Sequence, residues 1–60
     1  MMRERQYVVL VRGFSPMRVW GQTRHKAKAT VARELVEHGH AYDFKHACNR
    51  LIYSCRLVQP

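Results

Sequence analysis

The sequence is short of acid. Four Asp and Glu stand against eleven Lys and Arg, a formal net charge of +7 on 60 residues. A chain so poor in carboxylates has little material for paired-carboxylate catalysis. Glu4, Glu34, Glu37 and Asp43 are each accounted for by a surface position or a helix cap. Glycine is scarce too, with three residues and no Gly-rich loop to cradle a phosphate. Two cysteines are too few for a disulfide framework and read most simply as buried thiols in a reducing compartment. The longest apolar run, Tyr7 to Val11, falls far short of the roughly 20 residues of a spanning helix. It is also too short and strand-like for a secretory leader, so the expected location is the cytoplasm.

What is present is enough for one domain, residues 1–60. Apolar residues make up 47% of the chain, which excludes compositional disorder. A domain this small buries only about 60% of the surface of its unfolded chain, leaving no room for a large enclosed pocket. The charge is uneven. Residues 1–33 hold eight basic side chains and one acid, whereas residues 34–60 hold three of each. Such asymmetry bears on partners and association rate rather than on fold.

Gln6 to Gly13 is β-branched and aromatic, apolar on both faces, as a central strand is. Gly13-Phe14-Ser15-Pro16 is turn chemistry. Met17 to Gly21 alternates, with Met17 and Val19 on one face and Arg18 and Trp20 on the other. Thr23 and Gly39 have the chemistry of an N-cap and a C′ residue. The helix between them carries an apolar stripe of Ala27, Val31 and Leu35, widened by Ala32 and Val36. Asp43 starts a second, shorter helix through Phe44, Ala47, Cys48 and Leu51. Ile52 to Val58 alternates again, Tyr53, Cys55 and Leu57 against Ser54 and Arg56. The order is β-β-α-α-β. It predicts an α+β fold: a three-stranded antiparallel sheet with the first strand central and the helices packed on one face. The expected core is Val9, Val11, Val31, Leu35, Phe44, Tyr53 and Leu57. The rival is a ribbon–helix–helix dimer, in which 17–21 and 52–58 would not be strands.

Two features point to an acidic partner. Arg24, His25, Lys26 and Lys28 crowd the first turns of the main helix, while Glu34 and Glu37 lie near its end. This opposes the helix dipole, at about 0.3–1 kcal/mol per misplaced charge at low salt. In addition, Arg12, Phe14, Arg18, Trp20 and Arg24 interleave cation with aromatic. Arg and Trp dominate binding hot spots and stack on bases; the alternative is that Trp20 is core. The expected partner contacts are Arg12, Arg18, Trp20, Arg24, Lys26 and Lys28. Arg12-Gly13-Phe14 opens like the first motif of an RNA-recognition domain, but Ser15, Pro16 and Met17 end the match. His38, His40, His46, Cys48 and Cys55 are of metal-ligand type, but their spacing fits no standard zinc finger. No catalytic residue, metal or other cofactor is expected.

Val19-Trp20-Gly21-Gln22-Thr23-Arg24-His25-Lys26-Ala27-Lys28-Ala29 resembles the strand–turn–helix step of many small phage and prophage proteins. Gly39 to Leu51 and the strand that follows fit the same ββα(α)β outline, so the resemblance covers most of the chain. The architecture is similar to that of small phage inhibitors of host machinery, among them some anti-CRISPR proteins and an inhibitor of host RNA polymerase. The resemblance implies a stoichiometric, non-enzymatic binder of a host protein or ribonucleoprotein complex, acting in the host cytoplasm, with no membrane partner. Several such inhibitors are acidic mimics of nucleic acid. This chain has the opposite charge, which argues against mimicry. The alternative is a direct, weakly sequence-selective nucleic-acid-binding protein.

Overall fold

The computed structural model describes residues 3–58. Its elements follow the order β1 (Arg5–Val11), β2 (Met17–Gly21), α1 (Arg24–Glu37), α2 (Phe44–His46) and β3 (Ile52–Leu57). A π-helical turn over Ala47–Leu51 continues α2 into β3. The strands form one antiparallel sheet in the order β2-β1-β3, with β1 in the middle. This is the α+β fold expected, and the strands at 17–21 and 52–57 exclude the ribbon–helix–helix arrangement.

Local chemistry sets the element ends. The Thr23 hydroxyl accepts the Lys26 N–H at 3.1 Å, capping α1. Asp43 does the same for α2, accepting from the His46 N–H at 2.8 Å. At the other end of α1, Gly39 takes φ +77°. Its N–H donates to the Val36 carbonyl, and the His40 N–H donates to that of Leu35, the paired closure of a Schellman turn. No helix is long and apolar enough to cross a membrane among the described residues.

The core lies between one sheet face and the helices. Val9, Val11, Val31 and Leu35 are buried as expected, joined by Tyr7, Ala27, Ala32, Ala47 and Ile52. Ala27 carries the close approach of α1 to the end of β2 at Gly21, since a small side chain lets backbones meet. Three expected core residues lie elsewhere. Tyr53 is 64% exposed and Phe44 45% exposed, while Leu57 is half-buried at the end of β3.

A bulge explains Tyr53. Tyr7 pairs with Leu57, Val9 with Cys55 and Leu10 with Ser54, but Val11 pairs with Ile52. The extra residue in β3 reverses the alternation there, so Ile52 turns in and Tyr53 turns out. Phe44 is displaced for a different reason. Ala47, one turn later, seats against the core with no exposure. Phe44 overhangs the rim, beside His25, Lys28, Ala29 and Cys48. Both cysteines are free and half-buried against the core rather than fully buried.

Candidate polyanion-binding surface

The helices cover only one face of the sheet; two arginines lie on the other, and a second group of cations lines the β3 edge. In β1 the residues alternate between buried (Tyr7, Val9, Val11) and half-buried (Gln6, Val8, Leu10). The half-buried set belongs to the uncovered face. Val8 pairs with Arg18 on one side and Arg56 on the other. Directly paired residues share a face, so Arg18, Val8 and Arg56 form a row across the sheet. At strand spacings of about 4.8 Å, the two arginine backbones lie roughly 10 Å apart. Trp20 pairs with Gln6, two residues along from that row. It is 60% exposed. That decides between the two readings of this tryptophan: it is a surface side chain on the open face.

The second group of cations lies at the β3 edge. A groove of about 640 Å³ runs between β3 and the first turns of α1, with Arg24, Lys28 and Arg56 among its walls and no acidic side chain. Arg56 therefore belongs to both surfaces. The Cys55 thiol donates to the Arg24 carbonyl at 3.7 Å, fixing the helix start beside the strand. Burial pushes the pKa of this thiol up, and the nearby Arg24 and Lys28 charges only partly offset that. Burial thus favours the neutral thiol form of Cys55, in keeping with a packing role.

The remaining expected contacts are dispersed. Lys26 is exposed, and its ammonium donates to the Gln22 side-chain oxygen at 2.8 Å. Arg12 follows β1 at the hairpin end, where its N–H donates to the Leu51 carbonyl. The sheet separates it from the β2–α1 junction, where Gly21 pairs with Arg5. Arg56 was missed as a contact. Its alternation with Tyr53 and Cys55 marked it as outward-facing, but nothing local signalled its two neighbours in space.

Among the described residues, no Lys or Arg makes an ion pair; the His38 and Glu34 side chains meet at 3.2 Å. Nor do any three His, Cys, Asp or Glu side chains come together as a metal site there. His46 packs against Tyr42 instead, with ring centroids 4.8 Å apart and the rings tilted by 45°, and His40 meets the edge of Phe14 at 4.9 Å. The fold and these surfaces define a small basic α+β domain with an uncovered sheet face. No known protein family, curated protein or solved structure matches the chain.

Proposed function

We propose that the protein is a non-enzymatic module that binds single-stranded nucleic acid on the open face of its sheet, with weak sequence selectivity. One observation carries this reading. Trp20 stands exposed on the same face as the Arg18–Val8–Arg56 row, and neither arginine has an ion-pair partner among the described residues. An exposed aromatic flanked by free cations supplies what a sequence-tolerant binder needs. The ring stacks on a base at about 1–3 kcal/mol, and the arginines neutralise the adjoining phosphates. The half-buried Val8 and Leu10 give the bases a partly apolar floor.

Trp20 is the one tryptophan of the chain, so its fluorescence reports directly on this face. Titration with a short oligothymidylate at low salt should quench it. The affinity should fall with added salt at about 0.7 log units per log unit of salt for each phosphate neutralised. Absence of both quenching and a mobility shift at low salt would remove the proposal.

A second reading is inhibition of a host nucleic-acid-handling complex, of the anti-CRISPR type. It is favoured by the spread of free cations over two surfaces, the open face and the β3 groove. Opposite charge on such a complex would speed and orient docking more than it tightened it. A defined, stoichiometric complex that survives nuclease treatment of a bacterial lysate supports this reading. Loss of every partner with the nuclease leaves the direct binder.

A further inference from the structure

We propose that the outer edge of β3, with the first turns of α1 beside it, is a strand-addition site for an extended acidic polypeptide segment. The site adjoins the open face that carries the proposed function and shares only Arg56 with it.

The argument starts from the backbone. The sheet order leaves β3 with no neighbour on its outer side. The Val58 N–H donates to the Gln6 carbonyl. In an antiparallel ladder, residues pointing to the partner alternate with residues pointing away. Val58, Arg56 and Ser54 therefore turn their amides toward β1, whereas Leu57 and Cys55 turn theirs outward. No hydrogen bond to those outward N–H and C=O groups exists among the described residues. An edge of this kind is a template for another strand.

The groove lies along this edge. Five consecutive residues, Ile52 to Arg56, line it. Ile52 and Cys55 face the covered side, and Tyr53, Ser54 and Arg56 the open one, so a groove touching all five follows the strand's side rather than one of its faces. At about 3.3 Å per residue it accommodates roughly five residues of an extended chain.

Charge selects the occupant. Arg24, Lys28 and Arg56 border the groove, and no acid does. A second copy of this chain paired through β3 would bring the same cations together, so self-pairing is disfavoured. A nucleic-acid strand satisfies the cations but has no backbone N–H for the outward carbonyls of Cys55 and Leu57. An acidic peptide in extended form matches both the alternating donors and acceptors and the charge.

The test uses the intact protein and a fluorescein-labelled octapeptide of alternating Val and Glu. Two analogues carry N-methyl groups, one on every Val and the other on every Glu. Strand addition requires only one of these two sets of N–H groups. One analogue should therefore lose at least tenfold in affinity while the other stays within about twofold of the parent. Binding should shift the Cys55 and Leu57 amide signals and leave Trp20 fluorescence unchanged, which separates this site from the open face. The pair Arg24→Glu and Lys28→Glu should weaken the parent peptide at least tenfold, with the amide spectrum confirming the fold. Equal affinity, or equal loss, for the two analogues would overturn the proposal, as would absence of binding at millimolar peptide. Shifts of the β3 edge amides by oligothymidylate, with none by the peptide, would overturn it in favour of nucleic acid at this edge.

Discussion

Gly21 closes β2 where the chain turns into α1, and its substitution tests the tightest contact in the fold. Its φ is not in the left-handed region, unlike those of Gly13 and Gly39, so the backbone there suits any residue. What excludes a side chain is space. A Cβ on Gly21 would lie 3.0 Å from the Ala27 nitrogen, 3.2 Å from its Cα and 3.2 Å from its Cβ. Comfortable carbon contacts are about 3.5–4.0 Å, so one side must move by a few tenths of an ångström. Ala27 cannot retreat easily. It has no exposure, and its N–H makes the first hydrogen bond of the helix, to the Thr23 carbonyl at 3.0 Å. Overpacking of this kind costs about 1–3 kcal/mol. The stiffer unfolded chain returns about 0.4–1 kcal/mol. Gly21→Ala should therefore lose a net of about 1 kcal/mol, and at most about 2.6 kcal/mol. At about 0.05–0.15 kcal/mol per residue, the whole domain has only a few kcal/mol to lose. Urea unfolding followed by circular dichroism should show a lower midpoint with an unchanged slope. Gly13→Ala separates the mechanisms, because nothing lies within 4 Å of its added Cβ and its cost comes from φ +83° alone. A Gly21→Ala protein within 0.3 kcal/mol of the parent (about the resolution of such measurements) would refute the reasoning and show that the β2–α1 junction is slack.

Val9→Ala removes two methyl groups from a site with no exposure; at about 0.8 kcal/mol each plus a cavity term, a loss of about 2–3 kcal/mol is expected in the same urea assay. Thr23→Ala deletes the acceptor of the Lys26 N–H and should cost about 1 kcal/mol, read as a lower thermal midpoint. Arg56→Gln should weaken both oligothymidylate and acidic-peptide binding, because Arg56 borders both surfaces, whereas Arg18→Gln should weaken the oligonucleotide alone; identical profiles for the two variants would contradict the placement of Arg56. Because burial raises the Cys55 pKa in the folded state, iodoacetamide at mildly alkaline pH should modify Cys55 more slowly in the folded protein than in urea, as read by peptide mass spectrometry. The associated stability is complete below the unfolded thiol's pKa and is lost as pH rises through the higher folded value; equal rates in the two states would contradict the raised value.

Local signals were legible in the sequence because the interactions behind them are local. The caps at Thr23 and Asp43 and the glycine turn at Gly39 each close hydrogen bonds within five residues, so residue type and spacing suffice to place them. The alternation in β2 likewise separates Met17 and Val19 from Arg18 and Trp20 wherever that strand lies. Alternation names two faces, however, without saying which is covered. Two helices on a three-stranded sheet form a single covering layer, so one face of an apolar middle strand stays open and Trp20 stands on it. The β3 bulge was hidden for a related reason: it is a mismatch between two strands, set by how Val11 meets Ile52 across the sheet, and neither strand carries it alone. The groove is further still from local reach. Arg24 and Arg56 lie more than thirty residues apart, and only the docking of α1 against β3, with Cys55 at the Arg24 carbonyl, brings them to one surface.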